Sequence, residues 1–581
     1  MNFSQLAQTF LAVRAESSRT AMTELLADLL RSATPQEAQI ISYFMLGTLH
    51  APYKGNQFNF AEKSLVKAVA ELLKKDLDTY KNFVKEKGDL GSALQAESWP
   101  FEDKGLSVVD VYTDLEELMS ISGSGSQDEK AQKLNNLLTH LDIYSAMAVV
   151  RIVEGTMRLG LSDMTFLDAL SWMVTGDKSL KKALEEAYNI CADLGRIAFV
   201  LKHDGLEAVK ALKPILGIPI RLAAAERAES PQAIIDRLGV CEAQQKLDGF
   251  RLQIHIQKQG NDTNIWFFSR NLLDMTPMFP DLKKALAATP IQSLIVEGEA
   301  IVYDEDTERF LPFQETVKRR RKHDIEEAAE SLPLRLYLFD ILYLNGEPVF
   351  SKPHEQRRAL LVELFGEEQH RVVQVIEEKR CATVTELTDY FNEQITHGLE
   401  GLVVKRADAP YQPGKRNFNW IKLKRHHSGS LADSIDAVIL GYYAGRGKRA
   451  SFGIGAFLVG VYNPEKEQYE TIAKVGTGLT DSEWIDLKKQ ADLHVLKEKP
   501  HTVSCIATLA PDVWIEPRMV AVILADEITQ SPSHTAGQTA DTQGLALRFP
   551  RFMGYATDKN PQQATTVDEL RRLYQLQYHK A

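Results

Sequence analysis

Cysteine is scarce in this chain, and its distribution excludes whole classes of protein. The 581 residues include four cysteines, Cys191, Cys241, Cys381 and Cys505, which have neither zinc-ligand spacing nor the pattern of a disulfide framework. No apolar run approaches the roughly 18 residues of a membrane span. The first residues, MNFSQLAQTFLAVRAESS, begin an amphipathic helix rather than a signal peptide. We therefore expect a protein of the reduced cytoplasm that does not enter a membrane.

An excess of basic residues is also missing. The net charge is −11, which argues against a protein that coats nucleic acid through its overall charge, although a segregated basic surface stays open. Apolar residues make up 44% of the chain and charged residues 25%, which is typical of a globular protein. The length allows three or four domains.

Proline is rare in the first 210 residues, where only Pro35, Pro52 and Pro100 occur. Apolar residues recur there at helical spacing, which predicts an all-α domain over 1–212. One interruption, SISGSGSQDEKAQKLNNLL at 120–138, fits a flexible Gly/Ser linker. It also fits a loop whose free N–H groups bind an anion before a helix starts at Gln127–Lys130.

The predicted secondary structure changes twice further along the chain. From about 217, β-rich segments such as RLQIHIQ and SLIVEGEAIVYD alternate with helical segments at 354–365 and 384–396, which predicts an α+β domain over 213–425. After 425, short strands separated by glycine turns, with one helix near 480–491, predict a small β-barrel over 426–581.

Five short polar motifs follow one another in the middle of the chain. Each one alone is weak evidence, because a Glu-Gly-Glu or a Lys-x-Lys at a strand end is usually a turn or a solvated face. Together, their order and intervals are specific. They are KLDGFR (246–251), SRN (269–271), VEGEA (296–300), LFD (338–340) and EGLVVK (400–405), the last followed by PGKRNFNWIKLK (413–424).

These motifs resemble those of the covalent nucleotidyltransferases, and the match to ATP-dependent DNA ligases of the archaeal and eukaryotic type covers most of the chain. MRLGLSDMTFLDAL (157–170) and SGSGSQ are similar to that family's N-terminal DNA-binding domain. Segments at 441–462, 474–483 and 547–552 are similar to its C-terminal OB-fold. The resemblance implies a nick-sealing enzyme that uses ATP and Mg²⁺ or Mn²⁺, and whose domains together encircle DNA.

The resemblance also implies three chemical steps and makes Lys246 the catalytic nucleophile. The lysine takes AMP from ATP, AMP passes to a 5′-phosphate at a nick, and the 3′-OH expels AMP. An amine must lose its proton to attack, and neighbouring cations with partial burial lower a lysine pKa. Asp248 and Gly249 would shape the turn, and the glycine would let the backbone pass close to the nucleotide.

The other site residues follow from the same resemblance. Gln244, where many relatives carry Glu, would meet the adenine edge, and Phe339 would stack on the adenine. Glu299 would take the ribose hydroxyls or a metal-bound water, and Glu400 would contact Mg²⁺. We expect Glu297 to form part of a turn, or to support residues that contact the nucleotide, rather than to contact the nucleotide itself. The remaining predicted residues hold the ribose and the phosphates of the nucleotide. The direct contacts are Arg251, Arg270, Arg416 and Lys422, and Lys405 and Lys424 support them.

The C-terminal RFPR segment (548–551) resembles the motif that closes over ATP and orients pyrophosphate. Relatives place another arginine downstream, where this chain has Ala556. Its arginine contacts are therefore assigned to Arg548 and Arg551.

Nicked duplex DNA is the expected partner, bound by a monomer at the nucleoid. Residues 405–449 hold ten Lys/Arg against three Asp/Glu, and KRRRK at 318–322 adds a second basic cluster. Binding through such clusters should depend strongly on salt and little on DNA sequence. The sequence contains no convincing motif for a sliding clamp, and it leaves replication, repair and recombination roles open.

Three other classes of protein fit the sequence less well. RNA ligases and capping enzymes share the lysine motif but usually lack the helical N-terminal domain. An NAD-dependent DNA ligase needs a four-cysteine zinc module that four scattered cysteines cannot build. A decayed, non-catalytic scaffold should have lost at least one of Lys246, Glu299, Glu400, Lys422 and Lys424, all of which are present. Acceptance of NAD⁺ or ADP in place of ATP stays open.

Overall fold

The computed structural model describes residues 1–16, 18–55, 58–155, 157, 159, 161–228, 230–260, 262–304, 309–311, 316, 319, 325–366, 372–397, 399–424, 434–556 and 559–579. Within these ranges, no helix is both long and apolar enough to cross a lipid bilayer. The chain divides into two compact units. The first joins Met1–Ala68 to Trp99–Arg425, and the second joins Val69–Ser98 to His426–Ala581.

The first 210 residues are built from α-helices. Several begin at a polar residue that caps the free N–H groups of the first turn, and Thr34 and Glu37 form a reciprocal capping box at the third helix. The helices are α1 Phe3–Ala15, α2 Arg19–Ser32, α3 Pro35–Met45, α4 Glu62–Leu72, α5 Leu77–Lys87, α6 Leu90–Gln95, α7 Val108–Ser120, α8 Ser126–Leu138, α9 Ile143–Val153, α10 Asp163–Thr175, α11 Lys181–Ile190, α12 Leu194–His203 and α13 Leu206–Lys210.

Residues 224–424 form two sheets with helices on their outer faces. The helices are α14 Pro231–Leu238, α15 Pro280–Ala287, α16 Ile325–Ser331, α17 His354–Phe365 and α18 Val384–Thr396. The strands are β1 Ala224–Arg227, β2 Cys241–Gln245, β3 Phe250–Gln259, β4 Asp262–Ser269, β5 Ser293–Asp304, β6 Arg309–Phe310, β7 Leu334–Leu344, β8 Glu347–Pro348, β9 Val373–Val375, β10 Glu378–Cys381, β11 Gly401–Arg406 and β12 Arg416–Lys424.

The five-stranded sheet has the order β1-β12-β11-β2-β10, and the seven-stranded sheet has β4-β3-β5-β7-β8 with β6 on β5 and β9 on β7. Side chains alternate between the faces of a strand. One face of the five-stranded sheet therefore joins α14 and α18 in a hydrophobic core that includes Cys241, Ala243, Leu402, Val404, Ile421 and Leu423. The alternate residues, Gln244, Lys405 and Trp420 among them, point toward β7 of the other sheet.

The second unit is rich in strands. Its main sheet has the order β16-β18-β13-β14-β15-β17, with β19 joining β13 to β22, and β20 pairs with β21 separately. The strands are β13 Ile435–Tyr443, β14 Ala456–Asn463, β15 Gln468–Val475, β16 Val495–Leu496, β17 Val503–Ser504, β18 Val513–Ile515, β19 Val520–Leu524, β20 Glu527–Ser531, β21 Gly544–Arg548 and β22 Arg551–Tyr555. Helices α19 Asp481–Asp492 and α20 Val567–His579 follow β15 and β22.

The predicted helical N-terminal region and sheet-rich C-terminal region are confirmed. The predicted helices at 354–365 and 384–396 are α17 and α18, and the helix expected near 480–491 is α19. The exact domain boundaries stay predictions.

The SGSGS loop ends where α8 begins at Ser126. Gly125 occupies the N-cap with φ of 82°, a left-handed conformation that favours glycine. Asp128 and Glu129 lie in the first turn of α8. Because these carboxylates already lie beside the positive end of the helix, they oppose a second anion there.

Candidate active site

Two backbone hydrogen bonds fix the position of Lys246. Its N–H donates to the carbonyl of Gly401 at 2.9 Å, and its carbonyl accepts from the N–H of Glu400 at 3.3 Å. The lysine side chain forms an ion pair with the Glu400 carboxylate, and the two side chains are 21% and 24% exposed. The proposed nucleophile is therefore fixed between β2 and β11, at a point that solvent reaches.

The turn after Lys246 lies against β5. A Cβ on Gly249 would lie 2.4 Å from the carbonyl oxygen of Ala300, so a side chain at this position would collide with backbone. The Gly249 N–H donates to Glu299 Oε1 at 3.1 Å. The close approach that this glycine permits in the structure is to strand β5.

Arg251 is anchored in the interior of the seven-stranded sheet. Its Nη2 lies 2.9 Å from Glu297 Oε2, and the Glu297 side chain is fully buried. Glu297 also accepts hydrogen bonds from Gln253 and from the Tyr411 hydroxyl, at 3.2 and 3.1 Å. The buried Glu297 thus positions the Arg251 guanidinium, which lies 5.4 Å from the centre of the Phe339 ring.

Lys405 is enclosed between the two sheets and supports the Phe339 segment. It is 1% exposed, and its Nζ donates to the Phe339 carbonyl at 2.8 Å. Nζ also lies 4.2 Å from the centre of the Trp420 ring, a cation–π contact. Burial lowers the pKa of Lys405 to about 8, although the Asp340 carboxylate opposes the shift.

Gln244 lies next to Phe339 and to Glu378, a residue that sequence motifs did not reveal. Gln244 Nε2 donates to Glu378 Oε2 at 2.6 Å and to the Phe339 carbonyl at 3.5 Å. The same Glu378 oxygen lies 2.8 Å from His354 Nε2. Gln244 itself is 1% exposed.

The structure thus brings together Lys246, Glu400 and Glu299, and next to them Arg251, Phe339, Lys405 and Gln244. Arg270, at the end of β4, and Arg416, at the start of β12, are exposed. Lys422 lies in β12 opposite Val403, and Lys424 lies opposite Gly401. The Lys424 side chain falls outside the described residues.

Arg548 and Arg551 belong to the second unit, where each is paired with an acid. Arg548 Nη1 lies 2.5 Å from Glu527 Oε1, and Arg551 Nη2 lies 2.6 Å from Asp526 Oδ1. Ala556, at the position expected to carry an arginine, is 9% exposed and packs in a hydrophobic cluster.

The structure describes only part of the two predicted basic clusters. Arg319 of the KRRRK segment is 1% exposed, and its Nη2 lies 2.7 Å from Asp281, so for this residue the predicted phosphate contact is wrong. Lys318 and 320–322 lie outside the described residues. Within 405–449, Lys405 is buried and Lys415 lies 2.5 Å from Glu185.

Two groups of supporting residues were missed by the sequence reasoning. Asp340 and Arg357 form a buried pair with two hydrogen bonds, of 2.7 and 3.1 Å. Glu378 joins Gln244 to His354, as described above. Asp340 and Trp420 lie inside quoted motifs and could have been proposed, whereas Glu378 and Arg357 lie in segments with no local signature.

The charge of the Glu299 carboxylate depends on pH near neutrality. Burial raises its pKa to about 7, although the positive charges of Lys246 and Arg251 pull it down. A folded-state pKa above the ordinary value of 4.5 means that the fold favours the protonated carboxyl. This contribution to stability is fully present below pH 4.5 and is lost as the pH rises through 7.

We therefore expect Glu299→Gln to stabilise the nucleotide-free protein at pH 8 but not at pH 5. The gain should be roughly 2 kcal/mol, since a pKa unit corresponds to about 1.4 kcal/mol and part of the carboxylate is exposed. Thermal melting of both proteins from pH 5 to 8 measures it. Glu347→Gln, an exposed carboxylate of the same sheet, is the control. A difference that does not change with pH would contradict the expectation.

Comparison with known proteins decides the family. Residues 2–171 match the family described as DNA ligase N terminus, 223–424 match ATP dependent DNA ligase domain, and 450–559 match ATP dependent DNA ligase C terminal region. The chain belongs to the ATP-dependent DNA ligase family. Membership confirms the prediction of an enzyme that seals nicks in DNA at the expense of ATP.

The relatives of this ligase match it over its full length. It is 45% identical to "Probable DNA ligase" of Dictyoglomus turgidum, across 99% of this chain and 97% of that protein. It is 37% identical to "DNA ligase" of Staphylothermus marinus, across all of both chains. A solved structure described as "Pmar-Lig_PreS3" covers 95% of this chain and 99% of its own at 15% identity, with a TM-score of 0.55, which supports the shared fold.

Proposed function

We propose that this ligase forms its covalent lysyl-AMP at Lys246 and passes the AMP to the 5′-phosphate of a nick in duplex DNA. The observation that supports this choice is the position of Lys246 between Glu400 and the turn that Gly249 closes on Glu299. Carboxylates and an anchored arginine, Arg251, lie around one partly exposed amine. Phosphoryl transfer needs mainly such positioning and charge stabilisation.

In the first step the Lys246 Nζ attacks the α-phosphorus of ATP. A P–N bond forms, the bond from the α-phosphorus to the bridging oxygen breaks, and pyrophosphate leaves. The amine must give up a proton, and the Glu400 carboxylate is the acceptor already in contact with Nζ. The 5′-phosphate of the nick then displaces the lysine, and the 3′-OH finally displaces AMP.

The nucleotide contacts are proposed from the same arrangement. Phe339 would stack on the base, Gln244 would meet its edge and Glu299 would take the ribose hydroxyls. Arg251 and Lys422 would hold phosphates from inside the site, and Lys405 would support Phe339 from below. The exposed Arg270 and Arg416 would reach phosphate groups from the rim. Lys424, whose side chain lies outside the described residues, would support the phosphate contacts.

Mg²⁺, or Mn²⁺ in its place, fits the donors near Lys246. Carboxylate oxygens are the hard ligands that Mg²⁺ prefers, and it is usually held by one or two carboxylates together with substrate phosphates and waters. Glu400 and Glu299 meet that requirement, and the described residues contain no cluster of three or more His, Cys, Asp or Glu that would hold a metal alone. When bound, the ion would neutralise charge on the phosphates of ATP.

The C-terminal sheet is proposed to be an OB-fold barrel that closes over the nucleotide. Its branched strand order, in which β19 joins β13 to β22, supports a curved sheet. Arg548 and Arg551 flank the tip between β21 and β22 and would orient pyrophosphate. Because Ala556 is packed in a hydrophobic cluster, these two arginines would act without a third.

Duplex DNA would be bound by a monomer, mainly through its phosphates. An enzyme acting on chromosomal DNA would work at the nucleoid, in the cytoplasm. The acidic first turn of α8 argues that the SGSGS loop contacts DNA, if at all, through its backbone before that turn.

Sealing of a nicked duplex carrying a 5′-phosphate tests the proposal. We expect ATP and Mg²⁺ to support sealing of nicked DNA, and the same nick without the 5′-phosphate to give none. Binding should weaken about a thousandfold between 50 and 200 mM salt if about six phosphates are contacted. Sealing of nicked RNA in preference to DNA would overturn the assignment. Replacing ATP by NAD⁺ or ADP determines the donor.

A further inference from the structure

The Gln244–Glu378 contact has a consequence for nucleotide choice. A glutamine side chain ends in one donor group and one acceptor atom, and its two orientations differ only by exchanging them. Here Nε2 faces two acceptors, the Glu378 carboxylate at 2.6 Å and the Phe339 carbonyl at 3.5 Å. Exchanging the ends would set Oε1 against both acceptors, which is repulsive. The surroundings therefore permit one orientation.

Glu378 is held as the ionised partner that this orientation requires. Its Oε2 lies 2.8 Å from His354 Nε2, and its Oε1 lies 3.6 Å from Arg358 Nε. Burial alone would raise the pKa of Glu378, but His354 and Arg358 hold it below its usual range. A charged carboxylate accepts hydrogen bonds and donates none, so it accepts only the NH₂ end of Gln244.

The fixed amide leaves one atom for a ligand. Among the residues that the structure describes, none donates to Gln244 Oε1. Gln244 Oε1 is also not one of the fully enclosed side-chain atoms that lack a hydrogen-bond partner. A ligand can therefore reach it. Gln244 precedes Lys246 by two residues on the same run of chain, which places both side chains on one face of the sheet. An acceptor therefore lies near the attacking amine.

We propose that Glu378 is a specificity-positioning residue, which locks the amide of Gln244 so that its oxygen accepts from the 6-amino group of adenine and rejects a 6-oxo purine. A purine with a carbonyl at position 6 would set oxygen against oxygen. The proposal rests on the proposed function, since it assumes that the base of the nucleotide reaches Gln244.

The test compares self-adenylation with α-labelled ATP and α-labelled ITP, whose bases differ at position 6 and in the adjacent N1 proton. We expect kcat/KM for ATP to exceed that for ITP by about 100-fold, the effect of one mismatched buried hydrogen-bonding pair. In Glu378→Gln, residue 378 can donate as well as accept, so Gln244 can reverse. The ATP/ITP ratio should then fall at least about tenfold.

The neighbouring Glu377→Gln is the matched control. Glu377 accepts from Gln245 Nε2 at 3.1 Å and from the Tyr390 hydroxyl at 3.1 Å, so the same chemical change alters neighbouring hydrogen bonds without touching Gln244. Its ATP/ITP ratio should match the parent. An unchanged ratio in a folded Glu378→Gln protein would overturn the proposal.

The exchanged pair, Gln244→Glu with Glu378→Gln, gives a second and independent measurement. It restores a carboxylate against an amide with the ends reversed, so an oxygen again faces the base. We expect the ratio to return to within about threefold of the parent, whereas Gln244→Glu alone places two carboxylates together and should lose labelling. An exchanged pair that labels without preference would also overturn the proposal. If the parent protein takes no label from ATP at all, the proposed function fails instead.

Discussion

Lys246→Ala should abolish the transfer of label from α-labelled ATP to the protein. In the parent, the product is a phosphoramidate, stable in base and cleaved in acid, which identifies a lysine–phosphorus bond. Alanine removes the attacking nitrogen and leaves Glu299, Glu400 and Arg251 in place, so nucleotide can still bind. We expect labelling to fall below detection, because a missing nucleophile cannot be replaced by positioning alone.

Lys284→Ala is the control for this change, since Lys284 is an exposed lysine of α15 in the same unit. It should label like the parent. Supplying the Lys246→Ala protein with a nick that already carries a 5′-adenylate separates the steps, because the last step no longer needs the lysine nucleophile. Sealing of that substrate would show a folded active site. Label that persists in Lys246→Ala would remove Lys246 as the site of attachment.

Arg357→Met should destabilise the first unit by about 3 to 5 kcal/mol, the cost of leaving a buried charge without its partner. Arg357 is 1% exposed and Asp340 2%. The guanidinium donates twice to the Asp340 carboxylate and also to the carbonyl of Ala409 at 3.2 Å. Methionine fills similar space but removes the guanidinium, so that among the described residues Asp340 keeps Lys405, whose Nζ is 3.4 Å away, and the Ile341 N–H at 3.0 Å.

Urea unfolding of parent and variant proteins measures this cost. Asp340→Asn with Arg357→Met removes both charges and should recover much of the loss, since neutral groups are less costly to bury. Arg380→Met is the matched control, because Arg380 pairs with Glu242 at 3.0 Å but is 62% exposed. Its cost should stay below about 1 kcal/mol. Equal losses in Arg357→Met and Arg380→Met would show that burial does not decide the effect.

Acid should remove the stability that the Asp340–Arg357 pair provides. Burial by itself would raise the pKa of Asp340, but the charges of Arg357 and Lys405 hold it well below its usual range. A carboxyl with a depressed pKa contributes stability that is present above its ordinary pKa and is lost as the pH falls through the folded-state value. This pH dependence is opposite in sign to that of Glu299, because the Asp340 carboxylate is paired with cations whereas the Glu299 carboxylate is mainly desolvated.

Local patterns decided much of the fold in advance. Helical periodicity and the shortage of proline predicted the helical N-terminal region, and the bounds of α17 and α18 match those read from the sequence. Such features depend on neighbours within a few residues, so they can be seen in a short window. The residues grouped around Lys246 came instead from a family resemblance, and the roles proposed for them stay predictions.

The sequence by itself determined the family, through the order and spacing of its motifs. It also determined the alternation in β2, which puts Cys241 and Ala243 on one face and Glu242 and Gln244 on the other. Only the tertiary structure decided which partners those polar side chains have. Glu378 reaches Gln244 because β10 pairs with β2, although 134 residues separate the two. Arg357 reaches Asp340 from a helix that packs on β7, and Arg319, which belongs to a run of five basic residues, is buried against Asp281. The sequence around a charged residue does not show whether its side chain is buried, because burial depends on which distant segments pack over it.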